Sequence, residues 1–142
     1  KVKPYYKKIE KAIATLDLKK EVILHDWVDH ERIKHLIDIS DIFIYASSTE
    51  TTGYGLLEGM ARGALIASSN QAGFPSMLKD GGVYFEPKNI ESIKKAIEYL
   101  IGLSSEERIK LRENALEYSS EYSWEKAAQQ HYEYFSSIKY KR

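Results

Sequence analysis

The sequence contains no cysteine. That excludes a disulfide framework, a thiolate metal site and a cysteine nucleophile. A surplus of charge is lacking too, since 21 basic residues meet 21 acidic ones and the formal net charge is zero. The broad basic field of a nucleic-acid-binding domain is therefore absent, and no nucleic-acid partner is expected. No apolar run reaches the roughly 18 residues of a membrane-spanning helix. No basic-then-apolar signal segment opens the chain. What remains is ordinary globular composition, 43% hydrophobic and 30% charged over 142 residues. One domain is expected, large enough to bury about 68–70% of its unfolded surface. Tyrosine is abundant, with 11 residues, several of them near the two ends.

Helical and strand patterns alternate. Apolar residues at Ile9, Ala12, Ile13 and Leu16 give Tyr5 to Leu16 a helical stripe. Glu21 to His25 is a short β-branched run and reads as a strand. Asp29 reads as an N-cap for a helix through Ile33, Leu36 and Ile37. Asp41 to Ala46 is a continuous apolar run, expected to be a strand covered on both faces. A helix follows from Gly53 to Arg62, closed by Gly63 in a left-handed cap. Ala64 to Ser68 and Val83 to Phe85 read as strands, with a short helix from Gly73 to Leu78 between them. Three helices close the chain, over about 90–101, 104–118 and 123–138, the second opened by Ser104 with Glu106 and Glu107 in its first turn. Four strands separated by helices imply a doubly wound, Rossmann-like parallel sheet of the α/β class. In such sheets ligands lie beyond the carboxyl ends of the strands. The loops after Leu24, Ala46 and Ser68 are the ones to inspect.

The loop after Ala46 is the most informative. Glu50 stands at a strand's carboxyl end, Gly53 and Gly55 at a helix start, and Glu58 one turn further on. The glycines allow close approach to open N–H groups at a helix N-terminus, an arrangement suited to a phosphate or pyrophosphate. Two carboxylates beside an anion site repel phosphate. They make sense as acceptors of hydrogen bonds from sugar and ribose hydroxyls flanking it. His30, His35 and His131 read as surface histidines with no convincing metal-ligand spacing, and no metal site is expected.

Glu50-x7-Glu58 with Gly53, Met60-Ala61 and Gly63 resembles the retaining glycosyltransferases of the GT-B fold, of the "glycosyl transferases group 1", or family 4, type. Further stretches resemble the same family in order: Val22 to Val28, Ser40 to Ile44, Gly73-Phe74-Pro75-Ser76, Asp80 to Phe85, and Tyr122-Ser123-Trp124-Glu125. The resemblance implies that residues 1–142 are the nucleotide-sugar donor-binding domain, the C-terminal half of a GT-B fold without its first strand or strands, with 104–142 as C-terminal helices. It implies Glu50 as the catalytic-site glutamate contacting the donor sugar, and Glu58 as the ligand of the ribose hydroxyls. Gly53, Tyr54, Gly55 and Leu56 form the turn that meets the diphosphate and sugar, and His25 and Gly73 help to hold the donor. For His25 a solvated turn reads equally well. Catalysis would be front-face transfer of a hexose with retention, to a glycan or lipid acceptor. No cofactor is implied beyond the nucleotide sugar as substrate, and no metal.

The chain departs from the family at Ser76 (usually Glu), at His25-Asp26 (usually with Gly), at Thr51-Thr52 (often Gly and an aromatic) and at Gly59 (usually Ala). The family's diphosphate-gripping Arg and Lys, and its acceptor domain, would stand ahead of Lys1. The chain therefore reads as a fragment inactive by itself. A cytoplasmic place is expected, with peripheral contact at the cytoplasmic membrane face as the variant for the full-length protein. The tail Lys139 to Arg142 reads as solvated, and the tyrosines at 118, 122, 132, 134 and 140 as helix-packing residues. An orphaned interface on the last helix is the other reading. The alternative function is a non-catalytic nucleotide-binding or scaffold module of the same architecture. A response-regulator-like domain lacks the acidic cluster it would need.

Overall fold

A computed structural model describes residues 4–138. The chain forms two compact units, residues 1–32 and 33–142.

In the first unit, helix α1 (Pro4–Thr15) buries none of its residues. It ends through Asp17 at φ 54°, with the Leu18 N–H on the Ile13 carbonyl at 2.9 Å. The expected strand at 21–25 does not form. The N–H groups of Glu21 and Val22 turn back onto the Leu18 carbonyl, and the backbone from Val22 to His25 runs without a ladder partner. A β-branched run becomes a strand only where a neighbouring strand takes its hydrogen bonds. Ile23 and Trp27 are correspondingly exposed. Asp29 caps as expected, its Oδ1 accepting from the Arg32 N–H at 2.7 Å. It opens α2 (His30–Asp38), which runs across the boundary between the units.

The second unit contains a parallel three-stranded sheet in the order β1 (Phe43–Tyr45), β2 (Ile66–Ser69), β3 (Gly82–Phe85). Phe43 faces Ile66 and Ser69 faces Phe85 in register. Helix α3 (Tyr54–Ala61) crosses from β1 to β2, and α4 (Phe74–Leu78) from β2 to β3. Then follow α5 (Ile90–Gly102), α6 (Ser105–Ser119) and α7 (Trp124–Ser137).

Strand β2 is buried throughout and divides two cores. Ile66 points with Leu56, Met60, Phe74, Leu78 and Ala115 into one, while Leu65 and Ala67 join Phe85, Ala96 and Leu100 in the other. Period-2 alternation along one strand thus serves helices on both faces, which is the doubly wound layering. Each fully buried Leu or Phe there is worth about 1.5–3 kcal/mol. Strand β1 is less covered than its sequence implies. Ile44 keeps 43% of its surface exposed, because β1 is an edge of the sheet among the described residues.

The caps follow the sequence closely. Ser104 and Glu107 form a reciprocal capping box, which holds the Glu107 carboxyl below its usual range. Asn89 and Ser123 cap α5 and α7 through their side chains. Gly63 adopts φ 61° behind α3. Helix α7 departs from expectation: it buries no residue, and Tyr132 and Tyr134 are 71% and 66% exposed rather than packed. It follows the last strand, and the described residues offer no further layer to receive it. Tyr118 is partly covered and donates its hydroxyl to Asp80, while Tyr122 is exposed. Tyr140 and Lys139 to Arg142 lie outside the described residues.

Helix α3 sits on β1 through small residues. A Cβ on Gly59 would stand 2.7 Å from the Phe43 ring, closer than packed atoms tolerate. Gly59→Ala gains about 0.5–1 kcal/mol of helix preference, but overpacking costs about 1–3 kcal/mol. A lowered urea midpoint is therefore expected for Gly59→Ala. Gly102→Ala, with nothing within 4 Å of its Cβ position, serves as the control and should match or slightly exceed the wild type.

Candidate functional site

The site is built where β1 ends and α3 begins. Tyr45 is the last residue of β1, and the polar segment 46–53 carries Glu50 to the helix. Gly53 precedes α3 in the left-handed conformation, φ 68°. Its Cβ position lies 3.3 Å from both the Met77 sulfur and the Phe74 ring, so shape and backbone conformation alike favour glycine. The Gly53 carbonyl takes the N–H groups of Leu56 and Leu57 at 2.9 and 3.1 Å. The amides of Tyr54 and Gly55 fall in the first turn ahead of them, where helix N–H groups have no intrahelical acceptor.

Tyr45 donates its hydroxyl to Glu50 Oε1 at 3.0 Å. Its ring meets Phe74 edge-on, with centroids 5.2 Å apart and planes at 82°. Burial, then the Glu50 bond, then the charges of Glu50 and Glu58 push the Tyr45 phenol up to about 12. Glu50 is thus bonded to the Tyr45 hydroxyl, while Glu58 acts on it through its charge alone. Glu58 is half-buried on α3 and also lines a cavity of about 570 Å³ with Thr52, Tyr54, Leu57, Tyr122 and Trp124.

The structure thus brings together Glu50, Gly53, Tyr54, Gly55 and Glu58. Gly55 has a purpose its sequence position did not indicate: a Cβ there would lie 2.8 Å from the Tyr45 ring. Its smallness seats the helix on the tyrosine. Leu56 is fully buried and its amide is bonded to Gly53, so it packs the core and presents nothing outward. Gly73 is exposed at the start of α4, with ordinary φ and open space around its Cβ position. His25 belongs to the first unit, exposed in irregular backbone. Among the described residues no group of three or more His, Asp and Glu side chains is placed to hold a metal ion. No helix there is long and apolar enough to cross a membrane.

Tyr45 was missed by reading the sequence. Its one signal is a polar-tipped aromatic at the carboxyl end of an otherwise apolar run, five residues before Glu50. Trp124, 78% exposed and lining the cavity, was read only as a family landmark.

Residues 3–118 match the family described as "Glycosyl transferases group 1". The chain belongs to this family. A curated relative is the GPI3 subunit of phosphatidylinositol N-acetylglucosaminyltransferase from Saccharomyces cerevisiae, 27% identical over 143 residues. That match takes in 95% of this chain and 30% of the relative, so the chain spans under a third of its length. Among solved structures, a glycosyltransferase from Rickettsia africae superposes with a TM-score of 0.81 at 24% identity, over 98% of this chain and 38% of that one. Anabaena HepE in complex with UDP gives 0.80 at 22%, over 94% and 37%. Sucrose-phosphate synthase from Thermosynechococcus elongatus gives 0.79 at 19%, over 94% and 35%. The fold of the chain is therefore the Rossmann-like C-terminal domain of the GT-B architecture.

The two phenols with the largest shifts give a pH signature. Tyr45 and Tyr84 are both held at about 12, in each case chiefly by burial. The unfolded chain then ionises first, near pH 10, and binds fewer protons than the folded one above it. Stability is expected to be level through pH 9 and to fall as pH climbs from about 10 to 12. Urea midpoints across that range check this, and Tyr45→Phe should flatten part of the slope.

Proposed function

We propose that the chain is the donor-binding part of a retaining glycosyltransferase. It would move a hexose from a nucleoside diphosphate sugar to a glycan or lipid acceptor. The observation that carries the reading is the pairing of Glu50 and Glu58 around one turn, with the left-handed Gly53 and the open first-turn amides between them. Carboxylates accept from hydroxyls, and helix N-termini accept anions. A nucleotide sugar presents both kinds of group in that order: ribose hydroxyls, diphosphate, hexose hydroxyls. Glu58 takes the ribose, the Tyr54 and Gly55 amides face the diphosphate, and Glu50 takes the hexose. Gly73 flanks the donor in this reading.

The acceptor oxygen bonds to the anomeric carbon on the face from which the diphosphate leaves, and the acceptor proton passes to a diphosphate oxygen. Negative charge grows on the leaving group, where preorganised N–H dipoles contribute most. The nucleotide sugar is substrate, and no resident cofactor or metal enters the proposal. The acceptor would be held by an N-terminal domain of the whole protein. The named activity of the yeast relative and the UDP in the HepE complex favour a UDP-linked N-acetylhexosamine or hexose and a lipid acceptor. A cytoplasmic site of action, at the membrane face, accords with such an acceptor. That the yeast relative is a subunit favours work within a complex.

Titration with UDP, GDP, ADP and dTDP tests this, read by amide NMR and by melting. One nucleotide should shift Gly53 to Glu58, and Glu58→Ala should abolish the shift. Saturation at about 100 times Kd adds roughly 2.7 kcal/mol of stability. Absence of binding by any of the four at millimolar concentration, in the complete natural protein, would sink the reading.

A further inference from the structure

Tyr45 touches both halves of the proposed donor site, and the family resemblance assigned it nothing. Its hydroxyl donates to Glu50 Oε1 at 3.0 Å. Its ring lies against Gly55, 2.8 Å from where a Cβ would stand, and edge-on to Phe74, whose Cε1 lies 3.3 Å from where a Cβ on Gly53 would stand. One side chain therefore supports the helix start that faces the diphosphate and also grips the carboxylate that faces the sugar. The segment between them has little else to fix it. Glu50, Thr51 and Thr52 are exposed, and the Ser47 hydroxyl bonds only locally, to the Thr49 carbonyl at 3.2 Å. Glutamate loses rotamer freedom when it is held still, so an unanchored Glu50 would meet that cost on binding sugar.

We propose that Tyr45 is a positioning residue for the donor's sugar, holding Glu50 in place through its hydroxyl while its ring sets the height of α3. The inference rests on the donor-site reading above and adds a division of labour to it. The phenol donates its one proton to Oε1. Glu50 Oε2 and the remaining lone pairs then stay open to sugar hydroxyls. A phenylalanine keeps the ring, and with it the seat of Gly55, while removing the anchor.

The test compares the complete natural protein with Tyr45→Phe, Glu50→Ala and the double variant, each binding UDP, UDP-glucose and UDP-N-acetylglucosamine. Calorimetric Kd values are the readout, and circular dichroism melting confirms that each variant folds. Tyr45→Phe is expected to weaken whichever UDP-sugar the wild type prefers by about five- to tenfold, the scale of one lost hydrogen bond. Its UDP affinity should stay within about twofold of the wild type. In the Glu50→Ala background Tyr45→Phe should add no further loss, because partners acting as a unit are not additive. Equal weakening of UDP and UDP-sugar by Tyr45→Phe would reduce Tyr45 to structural support and overturn the inference. Full additivity with Glu50→Ala, or no effect on either ligand, would overturn it as well. If the wild type binds neither UDP nor a UDP-sugar, the donor-site reading itself falls and takes this assignment with it.

Discussion

Three aromatic rings crowd the places where side chains would lie on Gly53, just before α3, and on Gly55 and Gly59 within it. Phe43 stands against Gly59, Tyr45 against Gly55 and Phe74 against Gly53, at 2.7, 2.8 and 3.3 Å from the respective Cβ positions. Gly55 and Gly59 are four residues apart, one helical turn, and Phe43 and Tyr45 are two apart, one strand repeat. The two periods bring the same face of the helix onto the same face of β1. Tyr45 and Phe74 meet edge-on, so the contact closes into a continuous aromatic layer under the helix start. Everything assigned to the candidate site hangs on this seating. It fixes where the open amides of the first turn lie, and it leaves Glu58 on the outward side while Leu56 and Met60 enter the core.

The same layer explains a local departure from the family. The resemblance implies Ala where this chain has Gly59, and the Phe43 ring occupies the space that its Cβ would need. The tyrosine following it in the strand pattern makes the equivalent demand at Gly55. A bulky aromatic on the strand and a glycine on the helix are thus a matched pair, and substitution of either alone opens a void or a clash.

The helical caps, the buried β2 and the Gly53 turn were all legible in the sequence, because each rests on local chemistry. Ser104 with Glu107, and Asp29, need only their own helix. The run at 41–46 was legible as a strand but not as an edge, since pairing is a property of neighbours. The run at 21–25 failed for the same reason. The pair Glu50 and Glu58 was legible through spacing. Tyr45 was not, because nothing in a strand's alternation distinguishes a phenol packed in an apolar layer from one that reaches back to a loop carboxylate five residues on. Leu56 and Gly55 show the converse. They belong to the motif by position, yet their side-chain positions serve packing.

Magnitudes decide which part of the site does most of the holding. A helix N-terminus offers a nearby anion about 0.3–1 kcal/mol where it is exposed, and α3 is a short helix of 8 residues. The chain as a whole supplies no net positive field. A hydrogen bond to a charged acceptor contributes about 1.5–3 kcal/mol, so each hydroxyl caught by Glu50 or Glu58 outweighs the dipole. An acidic pair beside an anion site is then coherent rather than self-defeating. The proposed function puts the carboxylates on either side of the diphosphate instead of upon it, where their attraction for hydroxyls exceeds what their charge costs. On that balance the geometry of the two carboxylates sets affinity more than the anion-facing turn does, and the phenol between them becomes the side chain on which the site's dimensions depend.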